Sequence, residues 1–201
     1  MNVKAHLKRT LTGVLVLLLA LCVCACGASG PKEEEQVQAV VENTMAVFKN
    51  PSQNDLSEFL DEETASALSS YGVDMNEFLT AAFKHMSYTV NEVTVEEDTA
   101  QVAMTVTNVN LDTAMADALA EFDAWTDTDE AVAVYKESGE QGLYQKLFEL
   151  LYAKMDEMAD ATTSADVTLY LQKQEDGSWD VTSEGNEAFY SALYGGATFN
   201  F

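Results

Sequence analysis

The chain has 201 residues, of which 34 are acidic and only 10 are lysine or arginine, so its net charge at pH 7 is −24. Three of the basic residues lie in the first 26 residues, which contain no acid, so residues 27–201 keep seven lysines, no arginine and a net charge of −27. Such a surface repels polyanions and lacks the guanidinium fork that grips phosphate, so we expect no nucleic-acid partner. The hydrophobic content of 47% fits one globular domain with a sizeable core.

The first 25 residues predict an export signal. Lys4, Lys8 and Arg9 form a positive leader, and an apolar stretch over 11–25 follows it. That stretch is long enough for a signal-peptide core but short for a membrane span. We therefore expect residues 1–25 to be removed.

Three cysteines stand at the end of this leader, and only Cys26 follows a small residue, Ala25. The run VCAC that ends at Cys26 resembles the lipobox of bacterial lipoproteins. The resemblance implies that Cys26 becomes a lipid-bearing N-terminus, with 26–32 as the lipidated cysteine and flexible tether. Each acyl methylene buried in the bilayer contributes about 0.8 kcal/mol to membrane binding. Two acyl chains on Cys26 would therefore hold the protein stably on the outer face of the cytoplasmic membrane.

Helical signals come first in the part after the tether. Apolar residues at helical spacing predict an amphipathic helix over 33–49, which Asn50-Pro51 ends. A less regular segment begins at Asp55, and Asp74 with Glu77, spaced like a capping box, begins another helix. The buried face of that helix is predicted to consist of Phe78, Leu79, Ala82, Phe83 and Met86.

Two strand pairs follow, separated by helices. The segments YTVNEVTV and AQVAMTVTNV alternate with period two around an acidic turn, which predicts an antiparallel hairpin. Residues 112–160 form a predicted helical insertion that is capped at Asp112 and has Leu119 on its apolar face. The segments DVTLYLQKQ and SWDVT predict a second hairpin, and 186–194 a last short helix.

The order of these elements, with the late strand pair LYLQKQEDGSWDVTS, is similar to the cystatin-like and SnoaL-like folds, the cone of the nuclear-transport-factor type, found in many Gram-positive lipoproteins. The similarity covers residues 33–201 as a single domain. It implies an α+β fold in which N-terminal helices pack on a curved antiparallel sheet of about four strands. It also implies a possible pocket between sheet and helices but no activity, because the fold hosts enzymes, binders and interaction domains.

If that pocket exists, the sheet supplies an apolar wall with few polar groups to orient a ligand. We expect the ligand to be small and neutral or cationic, because acids so outnumber lysines. The predicted wall consists of Tyr88, Val102, Met104, Leu169 and Trp179.

Catalytic chemistry is restricted by the rarity of histidine and cysteine. His85 is the single histidine of residues 27–201, so a Ser-His-Asp triad would have to use it. It is either a hydrogen-bonded structural residue or a general base that faces the cavity. No cysteine follows Cys26 to act as a zinc ligand, and we expect no cofactor.

One cluster of four acidic residues could bind a divalent cation. Oxygen ligands suit hard divalent ions, although a solvated loop is the simpler interpretation. The candidate ligands are Asp123, Asp127, Asp129 and Glu130.

These patterns predict a lipid-anchored, non-catalytic protein outside the cytoplasmic membrane that binds a small neutral or cationic ligand or an envelope protein. Two other classes remain open. One is a small cone-fold enzyme that uses His85 as a general base, and the other is a structural or interaction domain at the cell surface.

The anchor can be tested by replacing Cys26 with alanine and fractionating the cells. We expect Cys26→Ala to leave the membrane fraction, because it cannot be acylated, whereas the matched variant Cys24→Ala stays there. A Cys26→Ala protein that loses its leader and remains as firmly membrane-bound as the parent would contradict the assignment.

Overall fold

The computed structural model describes residues 32–51, 66, 69–182 and 184–197. The expectations for the signal peptide, for Cys26 and the tether up to residue 31, and for the segment 55–65 lie outside these residues. Within them no helix is long and apolar enough to cross a membrane.

Two helices precede the sheet. Helix α1 spans Glu33–Lys49, as predicted, and its acidic first turn and Lys49 in the last turn complement the helix dipole. Helix α2 spans Met75–Phe83, and the carboxylate of Asp74 caps it by accepting hydrogen bonds from the backbone N–H groups of Asn76 and Glu77. The predicted range of α1 and the predicted start of α2 at Asp74 are thus confirmed, whereas Met86, predicted on the buried face of α2, lies beyond the end of that helix.

Four antiparallel strands form one sheet in the order β1-β2-β3-β4. Their bounds are Ser87–Glu96, Thr99–Asn108, Thr163–Lys173 and Trp179–Val181. Strand β1 pairs with β2 through a bulge between Val90 and Glu92. The central pairing of β2 with β3 sets Val102 opposite Leu169 and Met104 opposite Val167, so both hairpins join in one sheet.

The insertion between β2 and β3 is a helical hairpin of α3, Leu111–Thr126, and α4, Asp129–Glu157. The N-cap of α3 is Asn110, because its side-chain oxygen accepts from the N–H of Thr113; the expectation of a cap at Asp112 is wrong. Leu119 is 44% exposed and does not belong to the apolar face. Helix α4 bends at Gly139, whose φ of 63° and ψ of −148° are not helical.

The last helix, α5, spans Glu187–Leu193 within the predicted range 186–194. Just before it, the buried carboxamide of Asn186 accepts from the N–H of Tyr170 and donates to the C=O of Tyr170. Strand β4 is short and pairs with β3 only at 171–173. At the next residue, Tyr170, the Asn186 side chain therefore makes the hydrogen bonds that a neighbouring strand would make.

The core lies between the inner face of the sheet and helices α1, α2 and α5. Inner strand residues include Val102, Leu169 and Trp179, all 0–1% exposed. Ring contacts of Phe48 with Phe83 and with Phe189 join the three helices. The α+β class is confirmed, with a curved four-stranded sheet and helices inserted between the strand pairs.

Asn108 ties these layers together at the end of β2. Its side-chain N–H₂ group donates to the C=O of Ala82 in α2 at 2.8 Å and to the C=O of Leu193 in α5 at 2.6 Å. Its oxygen accepts from the N–H of Val109 at 2.8 Å. A fully buried amide thus satisfies two helix-end carbonyls.

Asn108→Ala is expected to lower the free energy of unfolding by about 2–4 kcal/mol, because it leaves these buried backbone groups without partners. Urea denaturation measures this loss. The matched control is Asn91→Ala on the outer side of the sheet, expected to cost less than about 1 kcal/mol. Equal losses in the two variants would contradict the role given to Asn108.

Candidate functional site

The five residues predicted to line a pocket between sheet and helices belong mostly to the packed core. Val102, Met104 and Leu169 are 0% exposed and Trp179 is 1% exposed. Tyr88 is half-buried, and the Nζ atom of Lys49 lies 5.0 Å from the centre of its ring. A ligand at the first four side chains would have to open the core, so their role in ligand binding stays a prediction that this packing does not favour.

Open space lies instead on the outer face of the sheet, opposite the packed core, where Ala188 of α5 reaches the border of one depression. Two shallow depressions of about 390 and 400 Å³ flank Tyr170 there. The one that we call the Glu184 depression is bordered by Gln101, Tyr170 and Glu184. The other, the Asp166 depression, is bordered by Asn91, Asp166 and Tyr170.

Strand alternation creates this outer face. Because successive side chains point to opposite sides, the buried residues of β2 and β3 alternate with polar neighbours. Register places these neighbours side by side, with Gln101 opposite Tyr170 and Thr105 opposite Asp166. The outer residues of the two strands are Thr99, Gln101, Ala103, Thr105, Thr107, Ser164, Asp166, Thr168, Tyr170 and Gln172.

Tyr170 is the exposed aromatic residue at the centre of the site, with 39% of its surface accessible. Its backbone is fixed by Asn186 and by Thr182, whose N–H donates to the C=O of Tyr170. The loop that follows Thr182 turns at Gly185, which has a φ of 86° and lies beside the Tyr170 ring. The ring therefore stands on a well-anchored segment.

Hydrogen bonds between side chains order one side of the site. The amide of Asn91 donates to Oγ1 of Thr105 at 3.0 Å, and this hydroxyl donates to Oδ1 of Asp166 at 2.7 Å. The chain links β1, β2 and β3 across the outer face. It positions the Asp166 carboxylate at the edge of its depression.

The outer face is acidic. Among the described strand residues that face outward, none is basic, whereas three strands supply four carboxylates: Glu92, Glu96, Asp166 and Asp180. Burial, followed by the charge of Asp176, raises the pKa of Asp180 above its ordinary value. These carboxylates give the outer face a negative potential.

His85 lies elsewhere, just after the end of α2. Its side chain is 19% exposed, and Nε2 lies 3.0 Å from Oδ1 of Asp156 in α4. Nζ of Lys84 lies 2.7 Å from the other oxygen of the same carboxylate. Neither depression on the outer face includes His85. The geometry is that of a tie between two helix ends, and a role as general base stays untested.

The four acidic candidates for a cation site are exposed and spread along the hairpin. Asp123 lies in α3, Asp127 in the turn, and Asp129 and Glu130 in the first turn of α4, where they complement the helix dipole. The predicted acidic loop is therefore only a short turn. Across the described parts of the chain, no three His, Cys, Asp or Glu side chains are grouped to hold a metal ion.

Nearby, the half-buried ring of Trp125 packs 5.6 Å from that of Phe122, with Nζ of Lys146 at 6.0 Å. These contacts place Trp125 between the two inserted helices. Its surroundings are those of a packing residue in the hairpin.

Comparisons with known proteins give little beyond this geometry. No protein-family model matches the chain, and no curated protein matches it either. A solved structure of YcdA from Bacillus subtilis, described as a candidate lipoprotein, is similar at 12% identity with a TM-score of 0.46. The similarity covers 78% of this chain and 55% of that one, so the chain spans little more than half of YcdA's length.

Sequence reasoning missed the outer face although a signal was present. The predicted strands fix which residues alternate with the core, and those alternate positions include Tyr170 among threonine, glutamine and aspartate. An aromatic residue on a polar strand face can bind a ligand. The strand pattern does not indicate which side of the sheet the helices cover.

The tie between Asp156 and its two neighbours gives a pH-dependent prediction. Hydrogen bonds from Lys84, followed by that from His85, hold the pKa of Asp156 below its ordinary value of 3.8. A carboxyl with a lower pKa in the folded state stabilises the fold above its ordinary pKa, and this stabilisation is lost as the pH falls through the folded value. Asp156→Asn should therefore cost about 0.5–1 kcal/mol at pH 7, a small figure because solvent screens this exposed group.

Urea denaturation of parent and variant at pH 7 and below pH 3 checks this expectation. The difference in the free energy of unfolding between parent and Asp156→Asn should be smaller at the lower pH. Asp160→Asn, a nearby exposed control, should have the same free energy of unfolding as the parent at both pH values. An Asp156→Asn difference that does not change with pH would show that the ion pair contributes nothing.

Proposed function

We propose that this chain is a lipid-anchored binding protein on the outer face of the cytoplasmic membrane, whose outer sheet face takes a small neutral or cationic ligand. The single observation that supports the binding site is the pair of depressions on either side of the exposed Tyr170 ring. Their volumes of about 390 and 400 Å³ fall at the lower end of the range for small-molecule sites. The leader and the VCAC run ending at Cys26 support the anchor.

The proposed function is non-catalytic. Among the described residues that border the two depressions there is no histidine, lysine or cysteine, so acid-base chemistry there would depend on Asp166, Glu184 and the Tyr170 hydroxyl. Binding through hydrogen bonds and ring contact fits these side chains better than turnover does.

A second candidate function is an interaction with an envelope protein through the inserted hairpin. Helix α3 exposes Leu119, and α4 exposes Val132 and Tyr135 before its bend at Gly139. Exposed apolar residues that gather into one patch are typical of protein contact sites. The cone-like resemblance to cystatin-like and SnoaL-like domains is compatible with either role.

A thermal-shift panel on the full chain, purified in a non-ionic detergent, tests the binding site. The panel spans sugars, amines, hydrophobic peptides, nucleotides and sugar phosphates. A neutral or cationic compound at ten times its Kd should stabilise the parent by about 1.4 kcal/mol, which raises Tm by about 3–6 °C.

The same compounds are then applied to Tyr170→Leu and to the matched variant Tyr135→Leu, which alters another exposed tyrosine. The shift should shrink in Tyr170→Leu and persist in Tyr135→Leu. Stabilisation by phosphorylated compounds alone, or an equal shift in all three proteins, would refute a binding site at Tyr170.

A further inference from the structure

The two depressions share a feature that narrows the ligand class: each combines the same aromatic ring with one carboxylate of its own. Tyr170 borders both, Glu184 borders one and Asp166 borders the other. Hydroxyl and amide oxygens of Thr99, Gln101 and Thr168 lie around them as further acceptors. Two depressions with one carboxylate each therefore lie on the two sides of one ring.

Both carboxylates keep capacity to accept hydrogen bonds. Thr105 donates to one oxygen of Asp166, and the other oxygen receives no hydrogen bond from the described residues. The side chain of Glu184 likewise has no hydrogen-bond donor or cationic partner among them. Lys173, in the strand that carries Tyr170, bonds to Glu33 and lies 5.6 Å over the Trp179 ring on the inner face. It is therefore engaged away from the outer face.

We propose that the two depressions together bind a linear aliphatic polyamine, with one ammonium group in each and the alkyl chain across the Tyr170 ring. This inference rests on the proposed function and names its ligand class. A primary ammonium group has three donors for a carboxylate and neighbouring oxygens, and it is attracted to the face of an aromatic ring. The net charge of −27 on residues 27–201 draws such a ligand to the surface.

The geometry also selects the length of the ligand. Asp166 and Tyr170 are four residues apart on β3, about 13 Å at 3.3 Å per residue, and the Glu184 depression lies on the other side of the ring. A short diamine can occupy one depression only. A longer polyamine, such as spermine, can reach both at once, and the second contact is then intramolecular, which raises the overall affinity.

Isothermal titration of the full chain in a non-ionic detergent at low salt tests this arrangement. The probes are spermine and two diamines of equal charge, 1,4-diaminobutane and 1,10-diaminodecane. We expect spermine and the long diamine to bind more tightly than the short one, and added sodium chloride to weaken all three.

Variants locate the binding. Tyr170→Leu should lower spermine affinity about 2- to 5-fold, the range of a cation–π contact at an exposed site, because the inner ammonium groups of spermine would cross this ring. The double variant Asp166→Asn with Glu184→Gln should lower it about 2- to 30-fold, from two exposed charge contacts. The matched double variant Glu137→Gln with Glu140→Gln, which removes the same charge from exposed positions on α4, should bind as the parent does.

Four results would overturn the inference. Equal losses in the two double variants would mean attraction to net charge only, and equal affinity for the two diamines would exclude a bridge across Tyr170. A neutral compound that binds in a Tyr170-dependent way, while spermine does not bind, would refute the polyamine but keep the proposed function. If no compound of either class depends on Tyr170, both proposals fail.

Discussion

The buried carboxamide of Asn108 is the constraint from which much of this fold follows. One side chain holds the last turn of α2, the end of β2 and the last turn of α5 at hydrogen-bond distance. An unpaired carbonyl in the core costs about 1–3 kcal/mol, so the bonds from Asn108 favour the arrangement in which the three elements meet at this point. They hold the ends of α2 and α5 beside the last residue of β2, within the core.

A second buried carboxamide also satisfies backbone groups, at the edge of the sheet where β4 ends. Asn186 bonds to both backbone groups of Tyr170, next to the last residues that β4 pairs, so a side chain replaces the missing strand. The bond also fixes the start of α5, whose last turn reaches Asn108. The packing of the core and the placement of the Tyr170 ring on the opposite face are therefore joined by two amides and one short helix.

Much of the fold can be predicted from local sequence patterns. The features that cannot be predicted in this way depend on contacts between residues that are distant in the sequence. Helix α1 matches its predicted range because its apolar spacing and its Asn-Pro end are local signals. The cap at Asn110 and the exposure of Leu119 depend on how the hairpin packs, which no short window records. The outer site depends on pairing β2 with β3 across the whole insertion, so Gln101 meets Tyr170 only in the folded chain.

The acidic charge of the chain is distributed unevenly, and this links the fold to the proposed binding. Lys84, Lys146 and Lys154 each pair with carboxylates of the helices, so the helical side is partly neutralised. The outward-facing strand residues contain no such cation in the described part of the sheet. The carboxylates on the face where Tyr170 is exposed are therefore not offset by a lysine of the described strands, although the helices carry more net negative charge in total. Acidic side chains without a basic neighbour around an exposed ring are the charge arrangement on which the proposed binding of a cation depends.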